Sequence, residues 1–165
     1  MSMFKRILRH LFSSPLVLRK HFSAKVLKNI EQKIGENEKT HAGQIRFVVE
    51  NDLHILSLLR GESSRQRAIA LFSSLGIWDT EYNNGVLIYL LFADHKVEIV
   101  ADRGIHAIVG DAQWQQICHE MEIQFRQQNF EAGVIYGIDK IGAFLSKHYP
   151  DQAIKNELPD VPVVL

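Results

Sequence analysis

Eight apolar residues run without interruption from Val86 to Ala93, and after Asp94-His95 a second strand-sized segment follows, Lys96 to Ala101. The first run is the longest of its kind in the chain, and it falls far short of the ~20 residues that a transmembrane helix needs. Two residues between two such segments make a tight hairpin, so the pair is antiparallel. Whatever else the chain forms must be built around that hairpin.

Upstream, Thr40 to Gly43 turns the chain into an earlier strand, Gln44 to Glu50. Between it and the hairpin, residues 62–75 carry helical spacing, with Ala68, Phe72 and Leu75 inward and Gly76 placed as a helix-ending residue. Leu53 to Leu59 reads either as a helical turn or as a hydrophobic flap. Ser23 is placed to cap a helix to about Lys39 that turns Val26, Leu27, Ile30 and Ile34 inward. Downstream, Asp111 is expected to cap a helix to about Gln128, with Trp114, Ile117, Cys118, Met121 and Phe125 as its inner stripe. A further helix runs from near Asn129 to His148, with Val134, Ile138, Ile141 and Leu145 inside, and Pro150 ends it. The order β–α–β–β–α–α predicts a small mixed β-sheet with helices on both faces, and a helix between the first two strands makes them parallel. The organisation expected is a basic amphipathic head over 1–22, an α/β domain over 23–149 and an extended tail over 150–165.

The charges sum to zero, which gives no global attraction to nucleic acid. They are segregated, however. Lys5, Arg6, Arg9, Arg19, Lys20, Lys25 and Lys28 all precede the first acid, Glu31, so the remainder of the chain is acidic. Met3 to Phe12 reads as a short amphipathic helix with Met3, Phe4, Ile7, Leu8, Leu11 and Phe12 on one face, stopped by Ser13-Ser14-Pro15. It either docks on the domain or, over residues 3–28, attaches the chain to an anionic membrane surface. A single cysteine, Cys118, excludes an internal disulfide. No Sec-type pattern is present, and the location expected is cytoplasmic, or peripheral on the inner membrane face.

The antiparallel hairpin also gathers polar groups. The segment Trp78 to Gly85 enters one strand, and Asp102 to His106 leaves the next, so both emerge at the same edge of the sheet. Asp79, Glu81, Asn83, Asn84, Asp102 and His106 converge there by topology, whereas Glu50 lies at the opposite edge. Carboxylates mixed with amide oxygens suit a hard cation such as Ca²⁺; the alternative is that Asn83-Asn84-Gly85 is only a turn needing positive φ.

Several of these segments resemble the TPM domain, a family found in thylakoid-lumen, bacterial membrane-anchored and animal receptor-modulating proteins. The resemblance spans roughly Lys25 to Leu145. It rests on Thr40-His41-Ala42-Gly43-Gln44-Ile45, on Asn83-Asn84-Gly85-Val86-Leu87-Ile88, and on Val97-Glu98-Ile99-Val100 with Gly104. Asp111 and then Phe130-Glu131-Ala132-Gly133-Val134 follow in order. It implies a Rossmann-like three-layer α/β/α sandwich and a divalent cation, often calcium, at the loop edge. It also implies an acid-phosphatase activity reported for some members. After the third strand the family pattern is roughly Gly-x-Gly-Leu-Glu with an Asp five residues on. Here Asp102 replaces the first Gly, His106 replaces the Glu, and Asp111 is retained. That exchange can preserve the cation site, soften it toward Zn²⁺ or Mn²⁺, or abolish it.

The candidate metal ligands are therefore Asp79, Glu81, Asn83, Asn84, Asp102 and Asp111. Cys118 lies on an apolar stripe beside His119, and neighbours at i and i+1 on a helix do not face one another, so it reads as a structural thiol. His119 and Glu122 read as exposed. The function expected is a cation-binding interaction or assembly module with a protein partner. The alternative is a metal-assisted acid phosphatase, in which Asp79, Asp102 and Asp111 hold the ion, Arg103 neutralises phosphate charge and His106 is the general acid.

Overall fold

Strand β2 (Gly85–Leu91) is buried at all seven positions and hydrogen-bonded on both sides. On one side it pairs in parallel with β1 (Gln44–Glu50), from Gln44 opposite Gly85 to Glu50 opposite Leu91. On the other it pairs antiparallel with β3 (Lys96–Ala101), from Val86 opposite Ala101 to Leu91 opposite Lys96. The turn between them closes at Phe92–His95, where His95 takes a φ of 49° and its N–H donates to Phe92 O at 3.0 Å. A fourth strand, β4 (Val163–Val164), adds beside β1, so the sheet order is β3-β2-β1-β4. Residues 3–150 and 156–165 are described by this computed structural model.

Period-two alternation divides the apolar residues between two cores. Ile45, Phe47, Val49, Val86, Ile88 and Leu90 face α3 (Ala24–Glu38), α7 (Asp111–Arg126) and α8 (Phe130–His148). Val48, Leu87, Tyr89, Leu91 and Val100 face α5 (Ser64–Ser74) and α4 (Ile55–Leu59) on the other side. The result is the three-layer α/β/α sandwich, with the expected inner stripes of α7 and α8 inside. Local signals set the helix starts: Ser23 Oγ accepts from Val26 N at 3.4 Å, and Ser63 and Gln66 form a reciprocal capping box at the start of α5.

Three details differ from the sequence expectation. A helix α2 (Pro15–His21) follows the head; its seven residues are too few for periodicity to reveal, but Pro15 starts it and Leu18 and Phe22 anchor it. Phe22 joins a ring cluster with Phe47, Phe92 and Phe130. A short helix α6 (Arg103–Val109) intervenes after β3. Gly110, at φ 81°, both ends α6 and caps α7, so Asp111 is the first helical residue of α7 and not its cap. The uncertain Leu53–Leu59 stretch contains the helical turn α4, and no described helix is long and apolar enough to cross a membrane.

The head, α1 (Met3–Leu11), is docked by its polar side. Arg6 Nε donates to Asp94 Oδ2 at 2.9 Å and Arg6 Nη1 to Glu62 O at 2.8 Å. His10 is buried, and its Nδ1 accepts from Leu53 N at 2.9 Å. That bond places the ring proton on Nε2, which lies 3.2 Å from Asp94 Oδ1, in reach but poorly aligned. Burial pulls Asp94 upward, but the proximity of His10 and the bond from Arg6 outweigh burial and hold the carboxyl below its usual range.

At the far end of β1, Glu50 is the acceptor of a buried network. Arg67 donates to both its carboxylate oxygens, at 2.9 and 2.7 Å, and Tyr89 Oη donates to Oε2 at 2.7 Å. Burial and the Glu50 carboxylate hold the Tyr89 phenol protonated far above its ordinary range. Removing the cation strands the charge, whereas removing the hydroxyl leaves it paired. Arg67→Ala is therefore expected to cost about 3 kcal/mol in urea unfolding and Tyr89→Phe about 1 kcal/mol; the reverse order would contradict this hierarchy.

Candidate functional site

The sheet pairing delivers two loops to one edge, as the hairpin predicts. Asp102 N donates to Gly85 O at 2.9 Å, and Ile105 N donates to Asn83 O, so the entry to β2 and the exit from β3 are bonded directly. The approach is close enough to exclude side chains. A Cβ on Gly85 would collide with the backbone carbonyl of Ile77, and one on Gly104 with that of Asn83. Asn83 itself turns the chain at φ 51°.

Two candidate ligands are driven inward by this packing. Asn84 is 0% exposed; its N–H donates to Thr80 Oγ1 at 3.1 Å and its Nδ2 to Ala42 O at 3.2 Å. Asp102 is 8% exposed and caps α6, accepting from Arg103 N at 2.7 Å through Oδ1. Each has one buried oxygen left over: Asn84 Oδ1 and Asp102 Oδ2 have no hydrogen-bond partner among the described residues. Leaving a buried acceptor unpaired is costly, and such atoms are uncommon in folded proteins.

The other candidates lie farther out. Asp79 and Glu81 are exposed, and Glu81 N donates to Glu157 Oε2 at 3.1 Å. Asn83 is half-buried in its turn. Asp111 is exposed and stands 3.8 Å from Nε2 of the partly exposed His106. Arg103 is exposed at the start of α6. Among the described residues no three His, Cys, Asp or Glu side chains converge on one point. The donor set that fits a hard cation is thus an amide oxygen and a carboxylate oxygen, to be completed by backbone carbonyls or water.

The same edge holds groups that sequence reasoning did not select. Tyr149, at the end of α8, accepts from Ala42 N through its carbonyl at 3.1 Å; burial and then the Asp102 charge raise its phenol pKa. The tail also crosses this edge. Gln44 Oε1 accepts from Glu157 N and Leu158 N, both at 2.8 Å, and Arg46 donates to the carbonyls of Pro159 and Val161. Glu38, 5% exposed, accepts from Ile45 N at 2.7 Å and lies beside Asp160. Nothing local in the sequence signals the contacts of Tyr149 and of the tail, because they join positions more than a hundred residues apart. Elsewhere, burial pushes the Cys118 thiol up to about 12, in keeping with a structural role. Glu122, expected to be exposed, instead binds Lys96 at 2.8 Å and accepts from Val97 N on the edge of β3.

The fold and this edge define an α/β/α domain whose polar site lies where the parallel strands begin. The chain belongs to the TPM domain family, whose model matches residues 18–144. Among solved structures it is similar to the BA42 protein of the psychrophilic bacterium Bizionia argentinensis. The two share 31% identity over 87% of this chain and 94% of that one, with a TM-score of 0.72. The N-terminal domain of a P. gingivalis protein shares the fold at 19% identity, covering 79% of this chain and 81% of that one, with a TM-score of 0.62. No curated protein matches the chain.

Burial, reinforced by the charge of Asp160, raises the Glu38 carboxyl to about 8. A proton taken up on folding stabilises the fold fully below the carboxyl's ordinary range, and that contribution is lost as pH rises through the folded value. Glu38→Gln keeps an acceptor for Ile45 N and removes the titration. The stability of Glu38→Gln relative to wild type is expected to increase steadily from about pH 5 to about pH 8 and then level off. Denaturant melts across that range check it, and a pH-independent difference would refute the assignment.

Proposed function

We propose that this TPM domain holds a divalent cation at its loop edge and acts as a binding and assembly module, with its basic head, residues 3–28, attaching it to an anionic membrane and a protein partner engaging the domain. The observation that carries the cation reading is the pair of unpartnered buried oxygens, Asn84 Oδ1 and Asp102 Oδ2, on residues flanking the Asp102–Gly85 backbone bond. A hard cation satisfies such oxygens and offsets the burial of the Asp102 charge. Asn84 and Asp102 would be the inner ligands. Asp79, Glu81, Asn83 and Asp111 lie in the flanking loops or at the start of α7, where they would strengthen attraction for the ion rather than close its shell. Calcium is the first choice, because both inner donors are oxygens.

The competing reading is a metal-assisted phosphomonoesterase, favoured by the placement of Arg103 and His106 on α6 next to Asp102. In it the cation would supply charge neutralisation, Arg103 would bind phosphate oxygens and His106 would protonate the leaving group. The binding reading expects no metal-dependent release of nitrophenol from p-nitrophenyl phosphate. Turnover that disappears in Asp102→Ala would favour the enzyme.

The direct test is a thermal melt of chelator-stripped protein with Ca²⁺, Mg²⁺, Mn²⁺ or Zn²⁺. An ion at 100 times its Kd stabilises the fold by about 2.7 kcal/mol, enough to raise the midpoint by roughly 4 °C or more. The expected result is a selective shift with Ca²⁺ that Asp102→Ala removes. No shift with any of the four ions would rule the cation out.

A further inference from the structure

Amphipathic helices on globular domains ordinarily bury their apolar stripe. The head does the reverse. Its attachment to the domain runs through Arg6 and His10, bound to Asp94, Glu62 O and Leu53 N, with Ile7 as the partly buried apolar contact. Phe4, Leu8, Leu11 and Phe12 remain exposed, Phe4 at 69% and Phe12 at 81%. On α2, Leu16 at 74% and Val17 are exposed as well. The helix against which α1 packs, α4, adds exposed Leu56 and Leu59. Among the described residues, half of the exposed large hydrophobic side chains belong to these three short helices, and apolar surface concentrated in this way marks an interaction site.

The charges say what kind of surface would cover it. Arg19, Lys20 and Lys25 are exposed, as are Lys5, Arg9, which also lies 3.5 Å from Asp94, and Lys28, which pairs with Glu31; no acid occurs before Glu31. A second copy meeting this surface through its own would bring two cationic heads together, which opposes association. An anionic bilayer supplies both an apolar phase and the opposite charge. We infer that the exposed apolar residues of α1 and α2, turned outward by the Arg6–His10–Asp94 latch, form the face by which this protein inserts into an anionic lipid surface. This deepens the membrane-attachment part of the proposed function and is independent of the cation site.

The test is co-sedimentation of the full chain with phosphatidylcholine vesicles and with vesicles in which a third of the lipid is phosphatidylglycerol. The triple substitution Phe4→Ser, Leu8→Ser and Phe12→Ser is compared with wild type. All three side chains are exposed, so the variant should keep the wild-type melting midpoint, which is measured as a control. Expected are binding to the anionic vesicles only, weakening in high salt, and a loss of about tenfold or more in the triple variant. Undiminished binding by a folded triple variant would place the contact elsewhere and overturn this face while leaving membrane attachment standing. Failure to bind either vesicle would overturn both. A wild-type dimer in light scattering that the triple variant dissociates would assign the face to a second copy and overturn the lipid.

Discussion

Strand β2 has no free side. Its backbone is paired with β1 and β3, and all seven of its side chains are buried. Both sheet faces must therefore be roofed by helices, which accounts for the apolar stripes of α3, α7 and α8 on one side and α5 on the other. The same pairing fixes the edge. Because β1 and β2 run together and β3 runs back, the start of β2 and the end of β3 are bonded through Asp102 N and Gly85 O. Asn84 and Asp102 are buried as a consequence of that contact, and only glycine fits at 85 and 104. The unpartnered oxygens are thus built in by the sheet.

The outer side of β3 and the far side of β1 are covered by different means. Along β3, Glu122 takes the N–H of Val97 and Arg65 donates to the carbonyl of Ile99. Side chains occupy backbone groups that would otherwise invite another strand. Along β1, the chain's own C-terminal residues do this as β4, with Asn51 N donating to Leu165 O and Leu165 N to Val49 O. Gln44 and Arg46 clasp the residues before β4, drawing Glu157 and Asp160 to the loop edge. Residues 163–165 are consequently a structural part of the sheet.

What the sequence made legible follows from range. The hairpin, the parallel pair and the helix stripes are written in local periodicity, and strand direction alone was enough to bring the Asn83–Asn84 loop to Asp102. The depth of each polar residue was not legible. Asp79 and Asp102 are the same residue type at the same edge, yet one is exposed and the other buried, and only the close backbone approach at Gly85 and Gly104 decides which. The head shows the same limit. Its amphipathic pattern was plain, but its outward orientation depends on Asp94, more than eighty residues away in the hairpin turn. Tyr149, Glu38 and the tail contacts likewise depend on long-range packing.

If Asn84 Oδ1 and Asp102 Oδ2 hold the cation, the most direct measurement follows those two residues while the ion is added. In a ¹⁵N–¹H NMR titration with Ca²⁺, the Asn84 side-chain amide and the Asp102 and Arg103 backbone amides should move first and saturate together. Shifts confined to the exposed carboxylate positions Asp79, Glu81 and Asp111, or no saturable shift at all, would contradict it.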